Sequence, residues 1–238
     1  MRPARHEPWV LAIDAVSSCC ALAIAHGHWL RAYAYTHSPL SLSRRLLPML
    51  HTCLEHVERE LTEFDIIAVN RGPGSFTGLR ITFSTLKAFY SKHPFKVVAL
   101  DTLSLQVLCW PGKGTVWSMI PAGRTEYALA RYKKENPLMF NRETEITRGT
   151  WFQIYPHLQH DSNPILYPEP GVIPMAGSER LVRIHERTRV EALLTAAQHP
   201  EIFPRYDRIE EVELLYLRPP DIRPGKSILR RKSPGNPQ

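Results

Sequence analysis

Anion binding is the chemistry suggested by the stretch RGPGSFTGLR, residues 71–80. Gly72 and Gly74 permit a positive φ or a close backbone approach, and Ser75 or Thr77 can cap a following helix. Such a turn presents unpaired N–H groups at the positive end of a helix dipole, where a phosphate would bind. The motifs GxGxxG and GxxxxGK[ST] are both absent, so neither a dinucleotide site nor a P-loop is indicated. Spacing alone leaves open whether this turn binds a phosphate or nothing.

Asp14 is the carboxylate best placed for metal or phosphate chemistry. It follows the apolar residues 9–13, which predict a buried strand. At the end of such a strand, a carboxylate can face a ligand or orient a metal-bound water. It can equally stabilise the turn, and both interpretations stay open at this point.

Metal ligands and nucleophiles do not occur at recognisable spacings. The eleven histidines include no HxxxH pair, and His51 and His56 are too far apart in sequence to share a helix face. No GxSxG motif surrounds a serine. The cysteines form no CxxC pair, so we interpret them as small apolar residues of a reducing cytoplasm. These residues are Cys19, Cys20, Cys53 and Cys109.

The net charge of +7 is concentrated at the C-terminal end. Residues 218–238 contain six basic residues and one acidic residue, which leaves the remainder close to neutral. A Pro-rich, charged segment cannot bury enough surface to fold alone, so we expect a mobile tail that could contact a polyanion. No apolar run approaches the roughly 18 residues of a membrane span. Asp14 interrupts the apolar stretch after the basic N-terminus, which argues against a signal peptide.

The elements that must position the candidate residues are a mixed sheet and its helices. Three antiparallel strands are predicted at the start, followed by an amphipathic helix, a strand, the glycine turn with its helix, another strand and a short helix. Residues 111–114, PGKG, mark a boundary. The predicted strands are 9–13, 21–25, 29–35, 66–69 and 96–100, and the helices begin near 44–47, 77 and 101.

The second half is predicted with less regular elements. Strands are expected at 116–120, 126–132, 163–167 and 172–175, and a helix at 180–198. The apolar positions of that helix include Leu181 and Ile184 near its start. Residues 214–217 are expected to close the ordered part of the chain.

The helix after the glycine turn is apolar on more than one side. Leu79, Phe83 and Leu86 mark one face, while Ile81 and Phe89 lie elsewhere on the helix. Such a helix must be buried on several sides. Either it lies deep inside the domain or it contacts a second protein.

Four segments, taken together, resemble the TsaB (YeaZ) family. They are WVLAIDAVSSCCALAIA, RRLLPML, GPGSFTGLRITFSTLKAF and the late LLYLR, and GPGSFTGLR is the most specific of them. The resemblance implies an α/β fold of the actin/Hsp70/sugar-kinase (ASKHA) type, with two subdomains built on mixed sheets. We expect an N-terminal subdomain at 1–110, a C-terminal subdomain at 111–217 and the basic tail at 218–238.

The resemblance also implies a function. TsaB-like proteins are the non-catalytic partners of TsaD, which forms N6-threonylcarbamoyladenosine at position 37 of tRNAs reading codons that begin with A. It implies a cytoplasmic scaffold that binds no cofactor alone, while the complex uses ATP through a TsaE-type ATPase. The tRNA would be contacted indirectly or through the basic tail. Without TsaD, the same helices can form a homodimer.

Partner-binding residues follow from the same resemblance, because TsaB-like proteins bind TsaD through helices of the first subdomain. Arg80 has no nearby acid in sequence and could pair with a partner carboxylate, with a phosphate or with neither. Leu79 and Leu86 are expected to be core. The expected partner-binding residues are Leu46, Met49, Leu50, Cys53, Thr77, Arg80, Ile81, Thr82, Thr85 and Phe89.

Two departures from the family pattern argue against catalysis by this chain. In the family, the turn that faces a phosphate has the sequence DTST, whereas in this chain the sequence is Asp14-Ala15-Val16-Ser17. A DARRGEVY-like segment appears as residues 121–127, PAGRTEY, without its aspartate but with Arg124 and Glu126. A vestigial phosphate site would comprise Asp14, Ser17, Gly72, Gly74 and Ser75. The alternative hypothesis is an ATPase or phosphotransferase of the sugar-kinase type, in which Asp14 orients a metal-bound water and the glycine turn holds phosphates.

Overall fold

Two mixed β-sheets with helices against them form the protein. The computed structural model describes residues 7–17, 19–37, 42–123, 125–168 and 180–217. The strands are β1 Trp9–Asp14, β2 Cys19–His26, β3 Trp29–His37, β4 Ile66–Asn70, β5 Lys96–Leu100, β6 Gly114–Pro121, β7 Glu126–Lys134, β8 Phe140–Arg142, β9 Thr147–Thr150, β10 Ile165–Tyr167, β11 Leu181–Arg183 and β12 Arg205–Tyr206. The helices are α1 Leu42–Val57, α2 Phe76–Tyr90, α3 Thr102–Cys109, α4 Trp151–Gln159 and α5 Glu186–Gln198.

The first sheet has the strand order β12-β5-β4-β1-β2-β3. β1, β2 and β3 form the predicted antiparallel meander, while β4 and β5 run parallel to β1. The central strands β1 and β4 are apolar up to their last residues, Asp14 and Asn70, because helices cover both faces of the sheet. α1 and α2 lie on one face, and α3 and α5 on the other.

The helix pair α1 and α2 runs in one direction along its face of the sheet. β3 and β4 both end at the edge where β1 ends, and each is followed by its helix. Both helices therefore start at this carboxyl edge and run back along the sheet. Ser75 caps α2, since its Oγ accepts a hydrogen bond from the N–H of Gly78 at 3.1 Å.

The second sheet has the order β11-β10-β6-β7-β8, with β9 also paired to β7. β6 and β7 form its antiparallel centre, and β10 joins β6 in parallel. Lys134, at the end of β7, ties this sheet to the first half. Its buried Nζ donates to the carbonyl oxygens of Val107, Leu108 and Trp110 at the C-terminal end of α3. Burial lowers the pKa of this lysine.

The prediction of a helix at 180–198 was wrong for its first residues, 180–185. Leu181–Arg183 is strand β11, paired in parallel with β10, and Ile184 is a buried loop residue. The helix starts at Glu186 because Nδ1 of His185 accepts the N–H of Arg187 at 3.1 Å and so caps it. α4 was not predicted, and the strand expected at 172–175 lies outside the described residues.

Residues 186–206 return to the first sheet, so the expected boundaries of the two subdomains change. α5 packs on β1, β2 and β4, and β12 adds a strand antiparallel to β5. This segment packs on the first sheet because its apolar side chains, including Leu193 and Phe203, complete the core on the face that α3 also covers.

The fold class expected from the sequence is confirmed. The structure has two mixed sheets with packed helices, which is the α/β organisation that the resemblance implied. All four cysteines are free thiols, and Cys19, Cys20 and Cys53 are buried. Among the described residues, no helix is both long and apolar enough to cross a membrane.

Candidate functional site

The carboxyl edge of the first sheet brings the candidate residues together. Asp14 ends β1 and Asn70 ends the neighbouring parallel strand β4, so both side chains lie at the same edge. The glycine turn follows Asn70 directly, and Thr102 begins α3 beside it. Strand ends of this kind are where open α/β sheets bind ligands. The structure therefore brings these predicted residues to one edge of the sheet, where their detailed geometry can be described.

Asp14 is engaged by a cation from the other end of the chain. Its Oδ2 accepts a hydrogen bond from Nε of Arg189 at 2.6 Å, and both side chains are 1% exposed. Its Oδ1 accepts from Nδ2 of Asn70 at 3.2 Å. Both carboxylate oxygens are thus committed to side chains of this protein. The carboxylate is not presented to an external metal ion or a metal-bound water.

The first half of the glycine turn is held by internal hydrogen bonds. Gly72 has a φ of 95°, which a side chain would strain. Its N–H donates to Oδ1 of Asn70 at 2.9 Å, and its carbonyl accepts from the N–H of Thr102 at 2.8 Å. Oγ1 of Thr102 donates to the carbonyl of Pro73 at 2.7 Å. The turn is thereby fixed to β4 and α3.

The second half of the turn is packed against the loop that follows β1. The N–H of Ser75 donates to the carbonyl of Val16 at 2.5 Å. A Cβ atom on Gly74 would lie 2.2 Å from that same carbonyl oxygen, so the glycine is required for the close approach. Oγ of Ser17 accepts a hydrogen bond from the N–H of Cys19 at 3.2 Å. The N–H groups of Gly72, Ser75 and Gly78 therefore all have partners inside the protein.

Two thiols, Cys20 and Cys109, have raised pKa values. Burial, reinforced by the Asp14 carboxylate, raises the pKa of Cys20 to about 12. Burial likewise raises the pKa of Cys109 to about 11. Both thiols are neutral at physiological pH and therefore weak nucleophiles. Within the described residues, no three His, Cys, Asp or Glu side chains are grouped so that they could hold a metal ion.

The expected partner-binding residues divide into two groups. Leu46, Leu50, Cys53 and Thr82 are at most 4% exposed, so we correct their assignment: they belong to the core between the sheet and the helix pair. The others are exposed or partly exposed along α1 and α2. We call these the helix-pair surface: Met49, Thr77, Arg80, Ile81, Thr85 and Phe89.

Arg80 stands on the exposed side of α2, one turn after the helix begins. Its guanidinium lies 4.5 Å from the centroid of the Phe76 ring, which in turn lies 5.2 Å from the ring of Tyr216. This cation–π contact holds the Arg80 guanidinium over the Phe76 ring.

Three residues of the site escaped the sequence analysis. Asn70 and Thr102 adjoin predicted strands and could have been noticed as polar groups at strand ends. Arg189 carried a subtler signal, because it lies four residues before Leu193 on the apolar stripe of α5. Glu126, retained in the divergent segment, makes an ion pair with Arg148 at 2.6 Å. Arg124 lies outside the described residues.

Comparison with protein families and known sequences identifies relatives. A family model described as "TsaD: tRNA N6-adenosine threonylcarbamoyltransferase" matches residues 40–139, from just before α1 to just after β7. The tRNA threonylcarbamoyladenosine biosynthesis protein TsaB of Escherichia coli is 26% identical over 215 residues, which covers 81% of this chain and 92% of that protein. The TsaB of Bacillus subtilis is 23% identical over 163 residues, covering 66% and 69% of the two chains.

Solved structures agree with these sequence relatives in fold. A crystal structure of a Pseudomonas aeruginosa protein with similarity to peptidase YeaZ has a TM-score of 0.67 and 23% identity, covering 89% of this chain and all of that one. YeaZ from Pseudomonas aeruginosa has a TM-score of 0.64 and 21% identity, with 88% and 100% covered. The sequence relatives, the shared fold and the intact GPGSFTGLR motif all agree with the resemblance of this chain to the TsaB (YeaZ) family.

Proposed function

We propose that this chain is a non-catalytic subunit that binds a TsaD-type catalytic subunit and supports formation of N6-threonylcarbamoyladenosine at position 37 of tRNAs reading codons that begin with A. The observation that carries this proposal is the buried pair of Asp14 and Arg189. At the position where the superfamily faces a phosphate, this protein has an internal cation instead. In this proposal the chain keeps the fold of the superfamily, and the TsaD-type subunit catalyses the reaction.

The relatives support the same process. Those of Escherichia coli and Bacillus subtilis are both named as tRNA threonylcarbamoyladenosine biosynthesis proteins. The TsaD family model matches the region that contains α1 and α2. A protein that shares this region with TsaD can present a similar helix pair to it, and two similar helix pairs pack readily against each other.

The helix-pair surface is the part of the protein that we assign to TsaD. It combines apolar side chains, such as Met49 and Phe89, with the oriented guanidinium of Arg80. Apolar anchors beside an arginine are typical of the energetic centre of an interface. The same surface would serve a homodimer when TsaD is absent. ATP would be used by the complex through a TsaE-type ATPase, and tRNA would be contacted by TsaD or by the basic tail, all in the cytoplasm.

Reconstitution of the reaction tests the proposal directly. The chain should co-purify with its cognate TsaD, and tRNA threonylcarbamoylation by TsaD and TsaE should require its presence. Product formed equally well without it would overturn the proposal. The isolated chain should also show no thermal stabilisation by ATP with Mg²⁺. A nucleotide that did bind would be easy to detect, because a ligand at 100 times its Kd adds about 2.7 kcal/mol of stability. A large stabilisation together with ATP hydrolysis would favour the sugar-kinase-like alternative.

Reversing the charge of Arg80 should weaken the complex. Arg80→Glu is expected to lower the affinity for TsaD by about tenfold to thirtyfold, because an oriented interface arginine is replaced by a carboxylate. Titration of the purified proteins by calorimetry measures the change. Lys113→Glu, the same change of sign at an exposed position before β6, is the control and should bind within about twofold of the wild type. If the Arg80→Glu variant bound TsaD with unchanged affinity, Arg80 would not be part of the interface.

A further inference from the structure

An apolar groove lies at the far end of the helix pair, away from the carboxyl edge of the sheet. It has a volume of about 790 Å³ and is formed by α1, the C-terminal end of α2 and the segment that follows α1. Leu47 is 50% exposed there and adds apolar surface to the groove. The apolar side chains that line this groove are Leu47, Leu50, Leu54, Leu61 and Phe89.

The rim of the groove is acidic. Four carboxylates surround it, and the basic side chains among its lining residues are His51 and Arg59. These two are already occupied, because His51 lies 3.1 Å from Glu55 and Arg59 lies 3.0 Å from Glu63. Glu58 and Glu60 make no ion pair within the described part of the chain. An occupant that suits this groove has apolar side chains followed closely by several positive charges.

Such a sequence is present in this chain itself. The segment Ile228-Leu229-Arg230-Arg231-Lys232 places two large apolar side chains directly before three cations. The whole of residues 218–238 carries six basic residues and one acidic residue. We propose that this C-terminal segment binds in the groove of its own molecule, with Ile228 and Leu229 against the leucines and the cations at the acidic rim.

The length of the chain permits this. The N–H of Leu215 donates to the carbonyl of Arg71 at 2.9 Å, so the last described residues lie near the start of α2. The groove lies near the end of α2, and 15 helical residues span about 22 Å. The ten residues 218–227 can extend about 33 Å. Ile228 can therefore reach the groove without any change in the folded part.

Binding of the tail has a regulatory consequence that rests on the proposed function. Phe89 belongs both to the groove and to the helix-pair surface. A tail that covers Phe89 competes with any protein that binds the helix pair. The tail then acts as an internal, salt-sensitive competitor, because its attraction to the rim is screened by added salt.

Zero-length cross-linking of the full chain tests the binding without any partner. A carbodiimide joins a lysine to a carboxylate only when the two are in contact, and the tail offers Lys226 and Lys232. In monomer excised from a gel, mass spectrometry should find these lysines joined to rim carboxylates such as Glu58 and Glu60. Mixing ¹⁴N- and ¹⁵N-labelled chains identifies links between two copies. Links mainly between copies, links scattered over remote acids, or no links would each overturn the proposal.

A protease measurement supplies an independent readout with a matched control. Trypsin should cleave after Arg230 and Arg231 about five to ten times faster in Glu55→Lys/Glu58→Lys than in the wild type at low salt. Added NaCl should raise the wild-type rate towards that of the variant. The control Glu135→Lys/Glu145→Lys makes the same change of charge at exposed positions of the second half and should cleave at the wild-type rate. Equal rates in all three chains would overturn the proposal, whether or not the chain supports tRNA modification.

Discussion

Replacing Arg189 with leucine is expected to lower the free energy of unfolding by about 3–5 kcal/mol, because Asp14 is left as a buried charge without its cation. The loss is large because both side chains are almost completely buried and water cannot replace the guanidinium. Urea denaturation followed by tryptophan fluorescence measures it, since the chain has five tryptophans. The double variant Asp14→Ala/Arg189→Leu should recover at least half of the loss, since it removes both charges.

Arg187→Leu is the matched control for this prediction. It makes the same replacement two residues earlier on α5, where the side chain is exposed and pairs with Glu191 at 3.7 Å. An exposed pair of this kind contributes less than about 1 kcal/mol. If both variants lost the same unfolding free energy, the buried pair of Asp14 and Arg189 would contribute no more to stability than an exposed ion pair.

Replacing Gly74 with alanine is expected to cost about 2–3 kcal/mol in unfolding free energy. The added Cβ would lie 2.2 Å from the carbonyl oxygen of Val16 and 2.8 Å from the Val16 Cβ. The oxygen belongs to the backbone, so the clash is relieved only if the loop after β1 separates from the glycine turn. Loss of the hydrogen bond from Ser75 to Val16 should accompany that separation, and faster amide hydrogen exchange at Ser75 would report it.

Gly114→Ala separates steric clash from backbone strain. Gly114 has a φ of 100°, but no atom lies within 4 Å of the position of its missing Cβ. Its replacement should therefore cost only the strain of a positive φ, on the order of 1 kcal/mol. Gly74 has no positive φ, so its cost is steric alone. If Gly74→Ala were no more costly than Gly114→Ala, the close packing of the turn would not be needed for stability.

Hydrophobic periodicity was sufficient to predict much of the first sheet and its helices. α1 has a clear apolar stripe, and β1, β4 and β5 are short apolar runs bounded by polar residues. The pattern failed where elements are short or join end to end. β11 has only three residues and runs almost directly into α5, so the two were interpreted as one helix. α4 was missed because its nine residues contain Pro156 and few aliphatic side chains.

The candidate site was predictable only in its local part. Asp14 and the glycine turn are recognisable because they directly follow buried strands. Arg189 lies 175 residues after Asp14, and the distance in sequence hides the contact. An arginine in a helix is normally interpreted as exposed, and only its place on the apolar stripe distinguishes it. The sequence could thus indicate that Asp14 and the glycine turn lie at one edge of the sheet, but not that the Asp14 carboxylate pairs with Arg189.

The return of residues 186–206 to the first sheet affects the order in which the protein can be completed during synthesis. The face of β1 and β4 formed by Val10, Ala12 and Ala68 is covered by α5, which is made long after those strands. A nascent chain that ends before α5 has an uncovered apolar sheet face. Contacts of such long sequence separation form slowly and expose intermediates to aggregation. Completion of the first sheet therefore waits for the last part of the chain, and a fragment of residues 1–110 should be insoluble on its own.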